Sequence, residues 1–366
     1  MGISRGKFLK MMGAAGVAGS TLSVLSCQPN TSATGGGGDG DSGPEEKKLA
    51  LYNWSDYVAK STIPSFEKAT GIQVTQDFYG SNEDLLGKLQ AGATGYDVIV
   101  PSDYMVGVMI KSDVIQKLDK SKIPNVKNVG EDFMGLPYDP NNEYSLPYQW
   151  GTTGILYNKK EVGKLDGTWN PMWDRQFEGK MAMLNDSRET LGAALYKLGY
   201  SVNSKDEGQL AEVEAELKQQ NPLLRGYFIS TEVRPLVLNG DILLGHVYSG
   251  DAFLAMVQNE DLDYIIPRPQ ATRWTDNMCI PNGAPHPDNA HKFINHILDA
   301  EVGAKLTNYT YYNTPNEAAL PKIDPALKNL PGYTLTPAIF ERCEVIEDVG
   351  ETTREYERIF TEVKSA

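Results

Sequence analysis

The chain has 366 residues, with 34 Lys and Arg against 48 Asp and Glu and a formal net charge of −14. That balance argues against nucleic acid or an anionic lipid surface as a partner and favours cationic ones, although acidity for solubility alone explains it equally well. The length beyond residue 48 is enough for two lobes.

Residues 1–26 read as an export signal and not as part of the fold. Arg5, Lys7 and Lys10 precede an apolar, small-residue stretch over 11–26, too short and Gly-rich for a membrane span. Val24-Leu25-Ser26-Cys27 resembles a lipobox, which makes Cys27 the candidate lipidated N-terminus of the mature chain, held at a membrane by its acyl chains. An ordinary cleaved signal with a chance cysteine is the plainer alternative. "SRGKFLK" (4–10) also resembles a twin-arginine signal, but Gly6 stands where the second arginine belongs, so the export route stays open. Residues 27–48 follow as a flexible tether; about 21 residues of Gly-rich coil span roughly 25 Å. Its "GGGGDG" matches GxGxxG formally, yet no strand precedes it and no helix follows, so a nucleotide reading fails. Without the leader, Lys and Arg fall from 34 to 31 and the charge is about −17.

The folded part opens with strand "LALY" (49–52). "STIPSFEKATG" (61–71) predicts a helix stopping at Gly71, then strand "IQVTQDF" (72–78). "SNEDLLGKLQAG" (81–92) has capping-box spacing between Ser81 and Asp84 and predicts a second helix. Strand "YDVIVPS" (96–102) and helix "MVGVMIKSDVIQKL" (105–118) complete a β-α-β-α order, which predicts a mostly parallel sheet. The pattern restarts near Gly151 with "GTTGILYN" (151–158), strand "KMAML" (180–184) and helices over 188–200 and 206–220. Strand "GYFIS" (226–230), a short helix ending at Asn239-Gly240, strand "DILLGHVY" (241–248) and helix "AFLAMVQ" (252–258) come next. Strand "DNMCIP" (276–281) and helix "NAHKFINHIL" (289–298) close the series. Two α/β lobes around a cleft are the expected architecture, with no internal repeat.

In open α/β sheets, ligands meet the loops at the carboxyl ends of strands. Four such ends share one composition: Trp54-Ser55-Asp56-Tyr57, Ser102-Asp103-Tyr104, Asn185-Asp186-Ser187-Arg188-Glu189 and Tyr248-Ser249-Gly250-Asp251. Trp274-Thr275-Asp276 and Tyr309-Thr310-Tyr311-Tyr312 add to it. Aromatic, hydroxyl and carboxylate recur while cations are scarce, Arg188 and Arg273 excepted. Carboxylates hold ammonium groups through charge-assisted hydrogen bonds of about 1.5–3 kcal/mol, and Trp or Tyr faces add roughly 0.5–2 kcal/mol while covering methylenes. The combination suits an organic polycation. Taken singly, each residue has a plainer role: Trp54 and Tyr57 as core aromatics, Ser102 and Asp186 as helix caps, Asp251 at a helix start, the late tyrosines as packing. The four histidines lack metal-ligand spacing, and neither GxSxG nor a Walker-type motif occurs in the folded part, residues 49–366, so no cofactor or metal is implied.

At this point a resemblance covers 49–366. "YNWSDYV", "FEKATGIQV", "SNEDLLGKL", "YDVIVPS", "DPNNEYSLPYQWGTTGI", "LNDSRETLGAALYKLGYS", "YSGDAF", "DNMCIPNGA" and "YNTPN" resemble the spermidine/putrescine-binding proteins, solute-capturing subunits of polyamine ABC transporters. The resemblance implies a type II periplasmic-binding-protein-like α/β fold, two lobes closing by a hinge over a ligand in the cleft between them. It puts lobe 1 at 49–152 and 275–320 and lobe 2 at 153–274 and 321–366. It sets Trp54, Ser55, Asp56, Tyr57, Ser102 and Tyr104 along one side of the slot, and Asp186, Glu189 and Ser230 on the other. Tyr248 stands where the family usually has Trp, Asp251 matches the branch selecting putrescine, and Trp274 and Asp276 match its stacking ring and principal acid. Tyr312 completes the set, and Ile346 replaces a polar residue of the spermidine branch. The implied protein is an exported, lipid-anchored monomer that is not an enzyme and that presents its ligand to membrane permease subunits.

Three other readings stand beside it: ferric-ion capture through Tyr311-Tyr312, a glycosidase using two carboxylates, and a polyamine sensor. Amine affinity is expected to weaken as pH falls through the ordinary carboxylate range near 4. A bridge between Cys279 and Cys343 is left open.

Overall fold

The apolar run before Trp54 forms β1 (Lys48–Trp54), whose neighbours are β2 (Gln73–Tyr79) and the short β3 (Val98–Ile99), both parallel to it. The structure, a computed structural model, describes residues 46–92 and 95–366. The expected leader, the lipidation candidate Cys27 and the tether up to residue 45 lie outside the described residues.

The remaining strands are β4 (Ile115–Gln116), β5 (Ser145–Asn158), β6 (Met181–Leu184), β7 (Leu224–Phe228), β8 (Leu244–Tyr248), β9 (Leu262–Ile265), β10 (Ala271–Pro281) and β11 (Cys343–Glu344). Their order is β2-β1-β3-β10-β5-β8-β6-β7, with β4 and β11 on β10 and β9 on β5. The expected mostly parallel sheet is therefore a mixed one. β1, β2 and β3 run parallel, as do β6, β7 and β8, but β5 and β10 run antiparallel to each other and to their flanking strands β8 and β3. Residues 145–152 of β5 pair with β10, and residues 153–158 pair with β8 and β9. One strand thus passes from the β1 half of the sheet to the β6 half. Both long strands are buried on nearly every residue, so neither shows the alternation that marks a half-exposed strand. The expected restart at Gly151 falls in the middle of β5.

Local signals did set helix ends. Ser81 accepts the Asp84 amide at 3.1 Å at the start of helix Asn82–Gln90, and Gly71 (φ 72°) ends helix Thr62–Thr70 in the left-handed region. The helix expected to run to 118 stops at Lys111, because Asp113 (φ 52°) turns the chain into β4. The C-terminal helix Thr353–Ser365 lays Tyr356, Ile359, Phe360 and Val363 against Leu191, Leu195, Leu210 and Leu217 of helices Ser187–Leu198 and Glu207–Gln220. On the β1 side, Leu49, Leu51, Phe66, Leu146, Met278, Phe293, Leu306 and Tyr312 form a separate packed cluster.

Cys279 lies on β10 opposite Ser145, and Cys343 on β11 opposite Ala271. Eight residues of extended strand hold them roughly 26 Å apart. A disulfide needs Cα atoms within about 7 Å, so they do not pair, and both thiols are free.

Candidate functional site

The carboxyl ends of β1, β3, β6, β7 and β8, with the middle of β10, open onto one cavity of about 360 Å³. Trp54, Ser55, Asp56, Tyr57, Ser102, Tyr104, Asp186, Glu189, Ser230, Tyr248, Asp251, Trp274, Asp276 and Tyr312 all line it. Residues 54–57, which the resemblance sets along one side of the slot, line the cavity and also turn the chain: β1 ends at Trp54, and Ser55 and Asp56 make a turn in which Asp56 takes φ 54°. A carboxylate side chain tolerates that region better than most, and the turn projects it over the cavity.

Asp276 is held from two sides. Its Oδ2 accepts the Tyr57 hydroxyl and its Oδ1 the Ser102 hydroxyl, each at 2.7 Å. Ser102 is itself fixed by Asn82, whose amide nitrogen donates to Ser102 Oγ and whose carbonyl accepts the Ser102 amide. Ser102 therefore serves this acid and makes no side-chain cap. Beside it, Asp103 accepts the amides of Tyr104 and Thr275, which pins the β10 backbone next to Asp276.

Asp186, also in the cavity lining, does cap its helix, accepting the Glu189 amide at 3.0 Å, and its other oxygen accepts the Tyr248 hydroxyl at 3.3 Å. Capping a helix and lining the cavity coincide in this residue. Glu189 is buried; Oε1 accepts Thr153 Oγ1 at 2.8 Å, while Oε2 is buried without a hydrogen-bond partner. Ser230 Oγ accepts the Tyr248 amide. Asp251 takes the Tyr312 hydroxyl on Oδ2 and a guanidinium nitrogen of Arg234 on Oδ1.

The rings form a continuous wall. Tyr148, Tyr57, Tyr312, Trp274 and Tyr248 meet in sequence edge to face, with centroids 5.2–5.5 Å apart. Such contacts rigidify the wall and leave ring faces for a cation or a methylene chain. Trp274 is further tied by its indole N–H to Thr153 Oγ1, and Trp54 by its indole N–H to the Val100 carbonyl.

Burial dominates the electrostatics. It pushes Asp276 up to about 7, against the opposing pull of its two hydroxyl donors. Glu189 rises to about 8, from burial first and then from the charge of Asp186, which burial also raises. Carboxylates this far above their ordinary range are protonated in part at neutral pH, so the expected titration window near 4 moves up to 7–8. The same burial holds the Tyr312 phenol well above its ordinary value. Its hydroxyl is committed as a donor to Asp251 Oδ2.

Arg234 was not anticipated. It lies one helical turn after Ser230 in helix Ser230–Leu238 and reaches the cavity from the end of β7; the four-residue spacing was the available signal. Asn82, which supports Asp276 through Ser102, and Glu83, which accepts the Tyr104 hydroxyl at 2.9 Å, also escaped selection, whereas Asp103 was read only as part of the strand end Ser102-Asp103-Tyr104. Ile346 lines the cavity and is buried. A slot lined by aromatic rings, whose carboxylates Asp186, Glu189 and Asp276 make no ion pair among the described residues, can hold a slender organic cation. No nucleophile–base pair organised for bond cleavage emerges from these contacts.

Residues 61–334 match the family described as bacterial extracellular solute-binding protein. The chain is 35% identical over 332 residues to the putrescine/cadaverine-binding protein of Pseudomonas aeruginosa, covering 87% of this chain and 94% of that one. It is 34% identical over 325 residues to the spermidine/putrescine-binding periplasmic protein of Escherichia coli, covering 88% and 92%. Among solved structures, a Listeria monocytogenes protein assigned to spermidine/putrescine ABC transport superposes with a TM-score of 0.84 at 34% identity, covering 87% of this chain and 99% of that one.

Proposed function

This chain belongs to the bacterial extracellular solute-binding proteins, a two-lobed family that binds solutes for transport and is not enzymatic, and from that premise we propose that it captures a polyamine, spermidine or putrescine, for uptake by an ABC transporter. The observation that carries this reading is the buried Asp276, set by Tyr57 and Ser102 in an aromatic-lined cavity that Asp186 and Glu189 also line. One ammonium group meets Asp276 and another the Asp186–Glu189 pair, while the methylenes lie against Trp54, Tyr57, Tyr104, Tyr248, Trp274 and Tyr312. Micromolar affinity requires about −8 kcal/mol, which a few such contacts supply after ordering costs.

We assign lobe 1 to residues 49–152 and 275–320 and lobe 2 to 153–274 and 321–366. The change of partner along β5 between residues 152 and 153 supports that division. Export, a lipid anchor at Cys27, action as a monomer and delivery to membrane permease subunits complete the proposal. The lipobox-like Val24-Leu25-Ser26-Cys27 supports the anchor. Calorimetric titration with putrescine, spermidine and spermine tests the capture: a saturable 1:1 signal with at least one is expected, and silence with all three would refute it.

A further inference from the structure

Asp251 is already occupied by the protein. Arg234 places one guanidinium nitrogen 2.7 Å from Asp251 Oδ1 and the other 3.7 Å from Asp56 Oδ2. Tyr312 donates to the remaining oxygen of Asp251 at 3.1 Å. Side-chain exposure grades from 6% at Asp251 through 19% at Arg234 to 61% at Asp56, so the three run from the interior to the mouth of the cavity. The backbone of Asp56 is in the left-handed region, and from there its carboxylate reaches Arg234. Arg188, the other cavity-lining arginine, turns its guanidinium to the Glu347 carbonyl and Asn203 Oδ1 instead. Among the described residues, no ion pair reaches Asp186, Glu189 or Asp276.

We propose that Arg234 is a resident cation of the slot: it takes Asp251 from the ligand, so that the site reads two ammonium groups and disfavours a third. This rests on the polyamine reading above and sharpens it to diamines. A guanidinium in a partly buried pair is costly to displace, since pulling it away leaves a desolvated carboxylate unpaired. A third ammonium arriving at this end either displaces it or sits beside a like charge in a medium that screens poorly. A diamine anchored at Asp276 and at Asp186–Glu189 meets neither obstacle. Asp251 thereby acts through Arg234 to set specificity, and Asp56 holds the arginine at the mouth.

The test is calorimetric titration of putrescine and spermidine into the wild type, Arg234→Gln and Arg234→Lys, each checked for fold by circular dichroism. The wild type is expected to bind putrescine at least about tenfold tighter than spermidine. Arg234→Gln should shift that ratio toward spermidine by about tenfold or more, because Asp251 becomes available to the third ammonium. Arg234→Lys, which keeps the charge, should hold the wild-type preference. Should Arg234→Gln fail to fold, the double variant R234M/D251S removes both charges together and should move the ratio the same way by a smaller factor. Equal weakening of both amines in Arg234→Gln would make the arginine a clasp without selectivity and overturn the proposal. So would an unchanged ratio in whichever variant folds, or a wild type that prefers spermidine. A wild type that binds neither amine would remove the polyamine reading itself, and this one with it.

Discussion

Gly250 lies flat beneath the ring of Tyr312: a Cβ at position 250 would sit 2.6 Å from Cγ, Cδ1 and Cε1 of that ring. Gly250 belongs to helix Ser249–Met256 behind β8, whereas Tyr312 packs in the β1-side cluster with Leu49 and Phe66. The contact brings the two proposed lobes together at the ligand slot. Gly250→Ala should therefore leave each half folded but hold Tyr312 away from Asp251. Overpacking of this kind costs about 1–3 kcal/mol, so polyamine Kd should rise roughly ten- to hundredfold. Calorimetry checks this, with circular dichroism to confirm an intact fold. Wild-type affinity in Gly250→Ala would mean that this contact is not made in the bound state.

Asp276 carries the principal ammonium contact in the proposed pose, and its two hydroxyl donors keep it in place without neutralising it. Asp276→Asn preserves shape and removes the charge. The expected loss is about 1.5–3 kcal/mol of binding free energy, the value of a hydrogen bond to a charged group. Tyr57→Phe removes one donor from the same carboxylate and should cost less, about 0.5–1.5 kcal/mol. Equal affinities in Asp276→Asn and the wild type would take this residue out of the site.

Tyr356 ties the last helix to the fold. Its side chain is fully buried in the cluster with Leu191 and Leu210, and its hydroxyl donates to the carbonyls of Val202 and Ser204. The guanidinium of Arg188 stands 4.8 Å from the ring centroid. Truncating a buried aromatic costs about 3–5 kcal/mol through lost transfer energy and the cavity left behind. Tyr356→Ala should lower the denaturant midpoint correspondingly with little change in slope. A midpoint within error of wild type would show that this helix contributes little to stability.

What could be read from sequence follows from how local each signal is. The ends of β1, β3, β6 and β8 were recognisable because aromatic, hydroxyl and carboxylate side chains crowd positions usually given to small turn residues. Caps such as Ser81 and Asp186 were readable because they act within one turn. The long strands β5 and β10 were not, because burial on both faces erases the period of two. Gly151 looked like a break in the chain, yet a Cβ there would meet Trp274 Cζ2 at 2.8 Å, so the glycine makes room for that ring. Tyr356, Ile359, Phe360 and Val363 did carry a legible helical period that went unread. The pairing of Arg234 with Asp251 and Asp56 joins residues distant in sequence, and no local pattern encodes it.

Proton linkage gives the last prediction, since depth of burial moves the titration of the site away from the range that composition implies. Asp276 titrates near 7 and Glu189 near 8, both raised by burial. Unfolded carboxylates titrate near 4, so between about 4 and 8 the ligand-free fold binds more protons than the unfolded chain. These groups therefore erode the stability of the ligand-free protein as pH rises through that window. An alkylammonium, with an ordinary pKa near 10, stays charged throughout and favours the ionised acids, so binding expels protons. Kd should fall with rising pH, by about tenfold per pH unit for each proton released, between pH 6 and 7.5. The rise in melting temperature on adding amine should likewise grow from pH 5.5 to pH 8. Calorimetry in buffers of different ionisation enthalpy should detect the released protons, and Asp276→Asn should release fewer. A Kd constant from pH 5.5 to pH 8 would show that the ammonium groups do not bind against these buried acids.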